Sequence, residues 1–153
     1  MKRAPQETKV IQNLAPSKFS GVGFMGNDSR DVEEVISADA RTLERLGTDS
    51  LSVAGKLQII FDLASAELGD ELKLSENLTV QYLACRGRIP SPFPGEGSFE
   101  KNMVLVQSDD KSIHFYITPL SIHLIKKHGF FQGRGSPFRI EPEIIAGIAS
   151  EIP

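Results

Sequence analysis

The apolar residues of this chain change their period once, near Gly69, and that change limits what the chain can fold into. Before it, the spacing is helical. In DVEEVISADARTLERLG, Val32, Val35, Ile36, Leu43 and Leu46 fall on one stripe of a helix from about Asp31 to Leu46, and Gly47 suits the position after its cap. Thr48 or Asp49 can cap a second helix, SLSVAGKLQIIFDLASAEL, which Gly69 would end. Its wide apolar surface (Val53, Leu57, Ile60, Phe61, Ala64 and Leu68, with Ile59 and Leu63 elsewhere) implies burial on more than one side. So short a joint between two helices predicts an αα-hairpin.

After Gly69 the period is two. In NLTVQYLAC, Leu78, Val80, Tyr82 and Ala84 alternate with Thr79, Gln81, Leu83 and Cys85, as in a half-buried strand. NMVLVQS and SIHFYIT read as two more strands, with DDK as their turn. GRIPSPFPGEG, residues 87–97, has too many prolines and glycines for regular structure and is expected to be a loop. Thr118 and Pro119 then open a helix as N-cap and first residue, and Gly129 closes it. A last helix follows Pro142. The expected fold is therefore α+β: an N-terminal αα-hairpin packed on a small, mainly antiparallel three-stranded sheet, with C-terminal helices. Residues 1–20 contain Pro5 and Pro16, lack a sustained period and read as a flexible basic arm. Residues 21–153 read as a single domain.

Composition narrows the setting. A chain of 153 residues with 40% apolar and 24% charged residues is ordinary for one globular domain. No stretch approaches the roughly 18 apolar residues of a membrane span, so no membrane partner is expected. The N-terminus lacks the apolar core of a secretory signal. Cys85 is the only cysteine and has no partner for an internal disulfide. Both points suggest the cytoplasm.

A net charge of −3 argues against a protein coated for nucleic acid. The charge is uneven, though. Thr79 to Arg139 carries eight Lys and Arg against four Asp and Glu, whereas residues 1–76 carry nine against thirteen. Local positive charge of this kind suits a confined anion site.

Several motifs imitate chemistry without its context. GVGFMG, Gly21 to Gly26, has dinucleotide-binding spacing, but two helices follow where a βαβ unit needs a second strand. SFEK, Ser98 to Lys101, imitates a Ser-x-x-Lys pair; entering a strand, that spacing sends the side chains to opposite faces. Arg86 beside Cys85 could favour a thiolate, yet Ser91 stands where a phosphatase-type loop needs arginine. His123 and His128 lie five apart, about 140° around a helix. No ligand pair has recognisable metal spacing, so neither a metal site nor a cofactor is expected.

Asp39 is different. Helical projection sets it within the Val32, Val35, Ile36, Leu43 stripe, where a carboxylate must find a partner. It would either orient a histidine or arginine and act in catalysis, or accept structural hydrogen bonds.

The stretch HGFFQGRGSPFR, residues 128–139, combines two arginines and a histidine with three glycines. Glycines at Gly129, Gly133 and Gly135 allow backbone amides to form an anion nest, and Arg134 and Arg139 could add two-pronged contacts. Arg86, Arg88 and Lys101 could contribute from neighbouring loops. The alternative account needs no ligand: Gly129 caps the helix and Phe130, Phe131 and Phe138 pin the connection to the core.

Three functions follow as expectations. The first is noncatalytic binding of a small phosphate- or carboxylate-bearing ligand by Arg86, Arg88, Lys101, Arg134 and Arg139. The second is a hydrolase or lyase using His128 or His114 with Asp39 as the orienting acid. The third is a protein-interaction module, such as a homodimer, meeting its partner through PSPFPGEG and the N-terminal arm. Stacking of single-stranded RNA or DNA on the interleaved phenylalanines ranks below these, because phenylalanine is usually buried.

Overall fold

A computed structural model describes residues 23–153; the arm at residues 1–20, with Gly21 and Val22 of GVGFMG, lies outside the described residues. Helix α1 spans Val32–Arg45 and α2 spans Ser50–Ala66. Asp49 caps α2 by accepting from the Ser52 amide at 2.8 Å. Helix α3 spans Pro119–His128, with the Thr118 hydroxyl capping its start and Gly129 closing it at φ 63°. Helix α4 spans Pro142–Ile148 and runs into a 3₁₀ turn, Ala149–Glu151. Among the described residues, no helix is long and apolar enough to cross a membrane.

The molecule is α+β, but its sheet is larger than expected. Four antiparallel strands pair in the order β1 (Leu72–Lys73), β2 (Leu78–Leu83), β5 (Met103–Ser108) and β6 (His114–Ile117). The additional edge strand β1 is two residues long, too short to carry a period-two signal. The expected loop at residues 87–97 also departs from expectation. Arg88–Pro90 and Ser98–Glu100 pair as β3 and β4, a separate two-stranded ribbon inserted between β2 and β5. Pro90 stands at the end of its strand, where the missing amide interrupts no central ladder.

The expected αα-hairpin is not a packed pair. The main helical partner of α1 is α4, and that of α2 is α3. The connection after α3 fills the corner between α1 and α2: a Cβ on Gly129 would lie 3.7 Å from Ser50 Oγ and 3.8 Å from Ile36 Cγ2.

Two apolar clusters form among the described residues, and α3 contributes to both. In the larger, Val53, Leu57, Ile60 and Ala64 of α2 pack with the inner sheet face, Leu78, Val80, Val104, Val106, Phe115 and Ile117. Ile122 and Ile125 of α3 and Ile145 and Ile148 of α4 close it. The smaller joins Leu120 and Leu124 of α3 to Phe24, Val35 and Phe130. Ile89, Phe93 and Phe99 of the ribbon pack against this second cluster. Burying one side chain of Leu124's size contributes roughly 2 kcal/mol, so these contacts hold the ribbon on α3. That placement brings remote loop residues to the helix.

Candidate functional site

The glycine-rich connection is shaped first by another piece of backbone. Residues 24–28 run across it: the Gly133 amide donates to Phe24 O at 2.8 Å and the Asn27 amide to Arg134 O at 2.9 Å. A Cβ on Gly133 would stand 2.3 Å from Met25 O, and one on Gly135 would stand 2.6 Å from Asn27 Oδ1. The glycines around Arg134 therefore permit close approach of two chain segments. The Arg134 amide donates to Asp28 Oδ2 at 3.1 Å. Thus two amides expected to form an anion nest already serve the protein, one of them binding its own carboxylate. The Arg30 side-chain hydrogen bond and the Arg134 amide hold Asp28 well below the usual carboxylate range, against the opposing effect of burial.

Arg139 is similarly engaged. Its Nη1 and Nη2 each donate to Asp39 at 2.9 Å, Nη1 also reaches Gln132 O at 2.6 Å, and Nε reaches Glu141 at 2.8 Å. Burial disfavours its charge, but the Asp39 and Glu141 carboxylates outweigh burial and raise its pKa. Asp39 thus faces Arg139 rather than either expected histidine. His114 is exposed on β6, with its ring edge-on to Tyr116.

The remaining cationic residues differ in their surroundings. Arg86 and Arg134 are exposed. Arg88 donates to Ser98 Oγ at 2.9 Å and Ser98 O at 2.7 Å, which braces the ribbon.

Lys101 lines a cavity of about 270 Å³, enclosed by the two segments expected to converge. From the ribbon side come Cys85, Ile89, Glu100, Lys101 and Met103; from the connection come Gln132, Ser136, Pro137 and Phe138. Gly23, Phe24, Thr118 and Leu120 complete the wall. The walls are mainly apolar, with a thiol, two hydroxyls, an amide and one charge of each sign.

A second constellation was missed by sequence reasoning. Glu96, at the tip of the ribbon, lies over the exit of α3 with its side chain 7% exposed. Its Oε1 accepts from Ser91 Oγ and meets His123 Nε2, each at 2.9 Å. Its Oε2 lies 2.9 Å from both His128 Nε2 and Lys127 Nζ. Burial would raise the Glu96 pKa, but the bonds from Lys127, His123, His128 and Ser91 lower it to about 2. An ionised carboxylate only accepts, so each facing Nε2 carries a proton. Phe93 stacks on His128 with centroids 3.6 Å apart and planes 13° apart, and Phe99 lies 4.7 Å from the His123 ring.

Helical spacing alone separates His123 from His128, but one carboxylate reaches both because its two oxygens point different ways. The available signal was Gly95-Glu96-Gly97: one acid, flanked by glycines at φ 82° and 77°, opposite a basic helix face. The chain matches no protein-family model, no curated protein and no solved structure.

Proposed function

We propose that this protein binds, without chemical change, a small molecule with an apolar body and an anionic head. The ligand occupies the cavity between the ribbon and the 132–138 connection. One observation carries the reading: segments separated along the chain, Cys85–Met103 and Gln132–Phe138, converge on an apolar hollow that has Lys101 as its cationic lining residue. A cavity of this size lies near the lower end of small-molecule sites, and a few polar groups in an apolar wall are their usual composition. The apolar body packs on Ile89, Met103, Leu120 and Phe138, while a carboxylate or phosphate faces Lys101 and away from Glu100. Arg86, Arg88 and Arg134 then attract the anion at longer range without touching it.

Octanoate and its uncharged methyl ester are suitable probes, with protection of Cys85 from alkylation by N-ethylmaleimide as the readout. Octanoate should protect the thiol more than the ester does. Lys101→Met should remove that difference and retain the weaker apolar protection. Equal alkylation with and without either probe would overturn the reading.

A further inference from the structure

The Glu96 constellation is separate from the cavity and carries an inference of its own. We propose that Glu96, His123 and His128 bind one first-row transition-metal ion of the Zn²⁺ class, in a site open to solvent on one side.

The donor set sets the class of ion. Two imidazole nitrogens and one carboxylate oxygen suit borderline metals such as Zn²⁺ and Co²⁺, whereas Mg²⁺ and Ca²⁺ require mostly oxygen. The ligand atoms lie within 4.8 Å of one another. A tetrahedral Zn²⁺ holds its ligand atoms about 3.4 Å apart. Binding requires the two 2.9 Å contacts to lengthen and the two imidazole nitrogens to come within about 3.4 Å of each other.

The surroundings prepare the site. Both histidines come from one helix, and their rings are held by Phe93 and Phe99. Ser91 Oγ donates to Glu96 Oε1, the oxygen that also faces His123. The two histidine side chains are 24% and 22% exposed, so an ion has access and a water can take the fourth position.

Without an ion, Ser91, Lys127 and two imidazole N–H groups satisfy Glu96. With one, each neutral imidazole offers its Nε2 lone pair and carries its proton on Nδ1. Lys127, whose side chain is 57% exposed, turns into water. Removing Lys127 should therefore improve binding, because it removes a competitor for the carboxylate. A hydrogen-bonded clasp with no ligand role has the same resting contacts and predicts no metal affinity.

The test uses the full chain, freed of metal with a chelator and titrated with Zn²⁺ in a calorimeter. Ring nitrogen resonances of the histidines are followed by NMR in parallel. The expected result is one ion per chain, with His123 and His128 shifting and His114 unchanged. His123→Gln and Glu96→Gln should each weaken binding by at least the roughly 10–100-fold that loss of an outer-shell partner costs. Lys127→Ala should strengthen it, and Cys85→Ser should leave it unaltered. Should a ligand variant fail to fold by circular dichroism, the wild-type resonances decide alone. Absence of saturable binding, or a response centred on His114 or Cys85, overturns the assignment.

Discussion

Asp39 of α1 and Arg139 of the connection before α4 form a two-pronged ion pair across 100 positions of sequence. Their side chains are 7% and 8% exposed. This pair fastens the first helix to the C-terminal region and resolves the charge within the apolar stripe. Both Asp39 oxygens accept from Arg139 alone among the described residues, whereas Arg139 also reaches Glu141 and Gln132. Arg139→Met should therefore cost more than Asp39→Asn, with about 3–5 kcal/mol for the former. The double variant should recover part of the loss. Urea unfolding of all three measures this, and equal single losses would contradict the asymmetry.

Glycine replacements should have opposite signs at two sites. Gly133→Ala drives a Cβ into the Met25 backbone and should destabilise by about 1–3 kcal/mol. Gly55→Ala, on the exposed side of α2 with nothing within 4 Å of the new Cβ, should stabilise by roughly 1 kcal/mol. Thermal unfolding distinguishes the two directions.

Leu68 is held at φ 53° and is 88% exposed. A left-handed backbone costs a branched residue about 1 kcal/mol, and this side chain recovers little by burial. Leu68→Gly should raise the melting temperature despite glycine's greater freedom in the unfolded chain. A fall would show that the leucine has an energetic role its surroundings do not reveal.

Acid should weaken the grip of the ribbon on α3. The folded-state pKa of Glu96 is depressed from the ordinary 4.5 to about 2. Its contribution is thus complete above 4.5 and is lost as pH falls towards about 2. Asp28, whose pKa is also lowered, and Asp110, lowered to about 2, contribute in the same direction. Glu96→Gln should therefore lose less stability across this interval than the parent. Identical acid limbs in calorimetric melts would contradict the role of Glu96.

Much of the fold was legible because its signals are local. The caps at Asp49 and Thr118, the glycine exit at Gly129 and the two hydrophobic periods depend on residues within a turn or two of one another. Asp39 announced its need for a partner by its place in an apolar stripe. The partner's identity was not local, and neither was the reason for Gly133 and Gly135. Those glycines resembled an anion nest until the 24–28 segment lay across them. β3 and β4 were hidden because proline and glycine dominate their stretch, while their pairing and the packing of Ile89 and Phe99 are tertiary. Glu96 carried no helical or strand period that could connect it to His123 and His128.

Period, capping and backbone freedom act over a few positions, so the α+β class, the caps at Asp49 and Thr118 and the helix exit at Gly129 were readable from the chain alone. Packing in three dimensions settled that α1 turns to α4, that Arg139 is engaged by Asp39, and that one carboxylate joins two imidazoles. Those outcomes depend on which surfaces exclude water together, and such pairings join residues far apart along the chain.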